Sequence, residues 1–272
     1  AGLRDLGRIH AERRELDEAA ALYRKAVAVE RRDVEAWRRL AEIAERRHRA
    51  GEARAAWEAI LREDPEDPEA LLALGKLALR GGDAAAARAW FARLVLVARD
   101  EAGGRVGAAF AWLDARRPDE ALAVVEEGLR AGDPDPRLRY AQGLALQEQR
   151  RWAEAASAFG AVASDDPEVV CSARASEAYA LAHAGRHAAA LAVLDRARKD
   201  RPGDARLLTA RAFVLERSGR AAEAVDLLQG ALQERGGGKE PPAELYEALA
   251  VSLQRAGRPA DAVRLLARVA SE

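Results

Sequence analysis

The sequence has no methionine, no asparagine and one cysteine, and aromatic residues fill only 5% of its 272 positions. A lone thiol, Cys171, can form neither an intrachain disulfide nor a thiolate metal cluster, and an unpaired cysteine suits a reducing compartment better than an oxidising one. No apolar run is long enough to cross a membrane, and no signal-peptide pattern is present. A charge excess of either sign is also missing: 44 Lys and Arg face 45 Asp and Glu, for a net charge of −1. This argues against a nucleic-acid or anionic-membrane surface, which needs a basic excess. Lysine is confined to Lys25, Lys76, Lys199 and Lys239, so arginine carries nearly all the basic charge. Together with the missing Asn and Met, that bias has the character of a GC-rich, bacterial-type coding preference. The absence of an initiator Met reads as an excised or processed segment.

What is present is helical. Hydrophobic residues make up 49% and charged residues 33%, and Ala, Leu, Arg and Glu, all strong helix formers, dominate almost every stretch. A short pattern recurs along the whole chain: a turn, an acidic or small residue, an alanine, and a bulky residue four positions later. Eight alanines mark it, Ala19, Ala53, Ala87, Ala121, Ala155, Ala190, Ala224 and Ala262, at spacings of 34, 34, 34, 34, 35, 34 and 38. Four residues on stand Tyr23, Trp57, Phe91, Val125, Phe159, Leu194, Leu228 and Leu266. One helical turn separates the members of each pair, so they share a face.

This register resembles the tetratricopeptide repeat family, a helix–turn–helix unit of 34 residues. With the marker alanine as the twentieth residue, the family's small eighth position falls on Gly7, Ala41, Gly75, Ala109, Gly143, Ala178, Ala212 and Ala250. The fourth position, usually large and apolar, is Leu3, Trp37, Leu71, Leu208 and Tyr246, with Arg105, Arg139 and Arg174 departing from it. The family's terminal proline matches Pro65, Pro167 and Pro202, with Pro134 one residue late, and stops the second helix. The resemblance implies an all-α fold, a right-handed superhelical solenoid of helix–turn–helix hairpins. It forms one domain over residues 1–272, with units near 1–33, 34–67, 68–101, 102–135, 136–170, 171–204, 205–242 and 243–272. Each unit is expected to hold a first helix (A) and a second (B) of about fourteen residues. One extra residue near 165–169 and the longer segment GGGKEPP at 236–242 interrupt the register, the latter reading as a flexible spacer or hinge.

In the family, positions 2, 5, 9, 12 and 13 line a concave groove. They are mostly charged in the first three units, among them Arg4, Arg8, Arg38, Glu45 and Arg80. From the fourth unit on they become Val106, Phe110, Leu113, Tyr140, Leu144, Tyr179, His183, Thr209, Phe213 and Arg217. The ninth-position ladder Phe110, Leu144, Tyr179, Phe213 places one large apolar side chain in each unit. A contiguous apolar patch bounded by charge is a candidate interface for an extended peptide or an amphipathic helix. The alternative is that these rings fold onto neighbouring helices and complete the core. The carboxylate clamp of chaperone-binding relatives needs asparagines, and this sequence has none.

Chemistry is not legible. His183 and His187 stand four apart but straddle a turn, which breaks metal-ligand geometry. The glycines at 103, 104 and 107 lack the strand a phosphate-binding fingerprint requires. No nucleophile elbow or phosphate loop occurs. The sequence therefore predicts a non-enzymatic scaffold or adaptor that binds another protein, with no cofactor, metal or nucleic acid. A structural spacer in a periplasmic export or assembly complex and the sensor array of a larger signalling protein are the rival readings. No polar capping helix follows the eighth unit, so flanking repeats, a further domain or self-association through the uncapped ends is expected.

Overall fold

Among the described residues, 2–97, 102–235 and 242–270, the computed structural model contains sixteen α-helices and no strand. They pair as hairpins: α1 (Gly2–Glu12) with α2 (Leu16–Val29), α3 (Val34–Arg46) with α4 (Ala50–Glu63), α5 (Pro68–Arg80) with α6 (Ala84–Val97), and α7 (Ala102–Asp114) with α8 (Pro118–Arg130). The later pairs are α9 (Pro136–Glu148) with α10 (Trp152–Gly160), α11 (Pro167–His183) with α12 (His187–Asp200), α13 (Ala205–Arg217) with α14 (Ala221–Arg235), and α15 (Ala243–Arg255) with α16 (Pro259–Val269). Two compact units result, residues 1–133 with α1–α8 and residues 134–272 with α9–α16. Within each, successive hairpins pack in chain order.

The eight hairpin turns share one device. Each carries a single residue in the left-handed region at the same repeat position: Arg14, His48, Gly82, Arg116, Arg150, Gly185, Gly219 and Gly257. The next backbone N–H then reaches five residues back, as from Arg117 to the Trp112 carbonyl at 2.9 Å and from Arg186 to Leu181 at 2.8 Å. This closes the last turn of the A helix in the Schellman manner. Glycine adopts that conformation without a Cβ clash, whereas Arg and His do so at a cost of about 1 kcal/mol.

Close helix contact explains the small residues. All eight marker alanines are fully buried. A Cβ on Gly75 would lie 2.2 Å from the Phe91 ring, and one on Gly143 2.5 Å from the Phe159 ring. The eighth position is therefore where the A helix touches the aromatic side chain of its B helix. Leu266 is the exception among the bulky residues, being 44% exposed in the last helix.

Most A helices start on a carboxylate. The side chains of Asp33, Asp67, Asp135, Asp166 and Asp204 accept backbone N–H groups from the first turns of α3, α5, α9, α11 and α13. Such caps satisfy donors that have no intrahelical partner.

The fifth and sixth hairpins depart from the expected pattern. α10 has nine residues where α2, α4, α6 and α12 have fourteen, and α11 runs for seventeen. Pro167 does not stop a helix, as its match to the terminal proline implies. It opens α11, where its missing N–H costs nothing. The truncated end of α10 is closed by Arg174, whose guanidinium donates to the carbonyls of Phe159 (3.1 Å), Gly160 (2.9 Å) and Val162 (2.9 Å). This accounts for arginine at an apolar repeat position. Arg105 departs for another reason: it is buried and paired with Asp133 at 3.3 Å. Arg139 is exposed and donates to Gln142. Of the predicted insertion at 236–242, only Pro242 lies within the described residues, at the N-cap of α15.

Candidate functional site

Several charged groove positions of the first unit are held in ion pairs. Arg4 pairs with Asp33, Arg8 with Glu12, Arg38 with Asp67 and Glu69, and Arg80 with Glu45. Three predicted contact residues also belong to this unit. Phe110 and Leu113 are half-buried on α7. Val106 is a correction: it is only 5% exposed, so it is a core residue and presents nothing to a partner. α7 packs against α5, α6 and α8, and Val106 is buried there together with its neighbours Arg105, Ala108 and Ala109.

The second unit assembles the remaining seven. Tyr140 and Leu144 are half-buried on α9, and the Tyr140 ring lies 5.4 Å from Phe159 with its hydroxyl 3.3 Å from Ser176 Oγ. Tyr179 and His183 come from α11, and Thr209, Phe213 and Arg217 from α13. Helical spacing places Tyr179 and His183 one turn apart, and Phe213 and Arg217 likewise, so the adjacent helices bring the four onto a common surface. The Tyr179 and Phe213 rings are 4.9 Å apart at 55°, and the His183 and Phe213 rings 5.3 Å apart at 37°. These separations suit tilted aromatic contact, worth about 1 kcal/mol beyond area burial.

One member of this series was not among the predicted residues. Trp152, at the start of α10, stacks on His183 with centroids 4.3 Å apart and planes within 16°. Its place on a B helix puts it outside the groove positions of the repeat, and only the packing of α10 against α11 reveals it. Val251, 45% exposed on α15, was also missed. It occupies the ninth position of the eighth unit, so the register alone could have extended the ladder to it.

The surroundings set the protonation of these groups. Burial raises the Tyr179 hydroxyl above the ordinary tyrosine value, opposed by a hydrogen bond with Thr209. Desolvation, followed by the charge of Arg217, holds the His183 imidazole below its ordinary value. Both favour the neutral rings. The Thr209 hydroxyl donates to the Arg206 carbonyl at 3.0 Å. His187 begins the next helix across the turn from His183. No grouping of three potential metal ligands occurs among the described residues, and no described helix is long and apolar enough to cross a membrane.

A second surface feature lies beside the shortened α10. A cleft of about 610 Å³ opens between α10, α11 and α12, floored by Val170, Val193 and Ala197 and rimmed by charges of both signs. Cys171 lines it, and burial raises its thiol above the ordinary value, which favours the protonated form.

Comparison with known proteins agrees with the repeat. The family model described as tetratricopeptide repeat matches residues 4–55, 44–105, 111–170 and 172–239. Among solved structures, a tetratricopeptide repeat protein from Parabacteroides merdae is similar over 93% of this chain and 98% of its own, at 15% identity and a TM-score of 0.55. A chain of the Cut9–Hcn1 hetero-tetramer of APC/C is similar over 86% of this chain and 45% of its own, at 14% identity and a TM-score of 0.50. At these identities the likeness is one of fold, an all-α helical-repeat solenoid. No curated protein sequence matches the chain.

Proposed function

The chain belongs to the tetratricopeptide repeat family, whose members generally serve as non-catalytic scaffolds for protein–protein interaction, and from that premise we propose that it binds a peptide segment of a partner protein on the A-helix face of its second unit. The observation that carries this reading is the run of contacting rings Trp152, His183, Phe213 and Tyr179. Each is partly or largely accessible, while the bulky residues that pack the hairpins, such as Phe159 and Leu194, are fully buried. The rings thus keep accessible surface that the hairpin-packing residues do not. Clustered, half-exposed aromatic side chains are the residues on which binding energy usually concentrates. Phe110 and Leu113 offer a smaller apolar surface in the first unit.

The test is selection of a random peptide display library on the wild-type chain and on the Tyr179→Ala/Phe213→Ala variant, with melting curves of both. Loss of selected binders at an unchanged melting temperature supports the site. Undiminished binding by the variant sinks it. A large fall in melting temperature assigns the rings to the core instead.

A further inference from the structure

Resting on the ring surface as the binding site, the distribution of unpaired charge around it specifies the partner. At the C-terminal end of α13, Arg217 is exposed and pairs with no carboxylate among the described residues, and exposed His183 stands beside it. The neighbouring acid cannot serve Arg217. Glu216 is nearly inaccessible and is already held by the Ser252 hydroxyl at 2.6 Å and by Arg255 at 3.1 Å. Arg217 therefore supplies the positive charge at this end of the surface, and the neutral His183 ring beside it adds none.

The opposite end carries the reverse. At the N-terminal ends of α11, α13 and α15 a cleft of about 590 Å³ is lined by Glu168, Asp204, Glu244, Arg201 and Arg206. Both guanidiniums are committed there. Arg206 donates to Glu168 at 2.5 Å and to Asp204 at 2.7 Å, and Arg201 pairs with the same two acids. Glu244 is left exposed without an ion-pair partner among the described residues, and Glu247 one turn along α15 is in the same state. Among the described residues, the cleft thus holds one carboxylate more than its cations neutralise.

We propose that the partner is a bipolar segment: a basic side chain at one end for Glu244 in the cleft, bulky apolar side chains over Tyr179 and Phe213, and an acidic side chain at the other end for Arg217. The twelve-residue advance from Ala205 to Arg217 along α13 spans about 18 Å. An extended peptide crosses that distance in about six residues. Charge placed in this way selects the partner and fixes its direction more than it adds raw affinity.

The experiment uses the full chain and four synthetic peptides of equal length with the same central pair of phenylalanines. One has lysines at one end and glutamates at the other, about six residues apart; the others have lysines at both ends, glutamates at both ends, or serines at both ends. Fluorescence anisotropy is expected to rank the bipolar peptide at least about tenfold above the rest, with the preference fading as salt rises. Arg217→Glu should shift the preference to the doubly basic peptide, and Glu244→Lys to the doubly acidic one. Equal binding of all four, failure of the bipolar peptide to bind, or preferences that neither charge reversal alters overturns the proposal. The Tyr179→Ala/Phe213→Ala variant separates the two levels. If it abolishes binding while the charge reversals have no effect, the ring site stands and the bipolar partner falls. If it leaves the bipolar peptide bound, the ring site itself falls.

Discussion

The guanidinium of Arg38 donates to Oδ2 of Asp67 at 2.6 Å, while Oδ1 of the same carboxylate accepts the Ala70 backbone N–H at 2.8 Å. One aspartate therefore caps its own A helix and ties it to the A helix one repeat earlier. The arrangement recurs a repeat before, where Asp33 takes the Ala36 N–H at 3.0 Å and Arg4 at 3.2 Å. A cap and an inter-hairpin link share a single side chain, which couples local helix formation to stacking. Asp67→Ala should remove both and cost about 1–2 kcal/mol. Asp67→Asn keeps a capping oxygen and should lose less. A double-mutant cycle with Arg38→Ala, read by thermal melts, measures the coupling, and a coupling near zero would show the ion pair to be inert.

The helix contact at the eighth repeat position predicts intolerance to one methyl group. Gly75→Ala meets the Phe91 ring and should destabilise by about 1–3 kcal/mol. Gly230 lies inside α14 with open space around its Cα, so Gly230→Ala should instead stabilise by about 0.5–1 kcal/mol. Opposite signs in paired melting curves are the expected result.

Four of the eight hairpin turns place a side chain at positive φ. Arg116→Gly and Arg150→Gly should each raise stability by up to about 1 kcal/mol, the relief of left-handed strain outweighing the greater freedom of glycine in the unfolded chain. Gly185→Ala, at φ 76°, should lower stability by a similar amount. A fall in melting temperature for both arginine variants would show that those side chains contribute more than the turn costs.

Arg174 closes the end of α10 through three carbonyls, a task that requires the forked guanidinium. Arg174→Lys should therefore behave nearly as badly as Arg174→Ala, with a loss of about 1–3 kcal/mol. Hydrogen exchange should accelerate first at residues 159–164. Uniform acceleration across the second unit would contradict a local role.

The Asp204 carboxyl is held below its ordinary value of 3.8, chiefly by the Arg206 hydrogen bond, with burial opposing. Because the folded value is the depressed one, its contribution is fully present above about pH 3.8 and is lost as pH falls through the lower native value. Asp204→Asn should weaken the second unit at neutral pH and reduce its sensitivity to acid over that window. Circular dichroism melts between pH 2 and 5 would check this, and parallel acid curves for variant and wild type would refute it.

Much of the architecture was legible because it rests on local rules. The marker alanines, the small eighth position and the bulky residue four after each alanine are consequences of helical geometry and close approach, and the sequence by itself determined them. It also determined the hairpin turns, since one left-handed residue at a constant repeat position is a local requirement. Tertiary structure decided what depends on neighbours. Arg174 and Arg105 read alike as departures from an apolar position, yet one closes a shortened helix and the other forms a buried ion pair. Val106 carried the register of a surface residue but lies in the core, because exposure at the fifth position depends on how adjacent helices crowd it. Trp152 joined the aromatic surface from a helix that the repeat assigns elsewhere. The periodicity specifies which face of each helix packs, and the distances between helices decide which side chains remain for a partner.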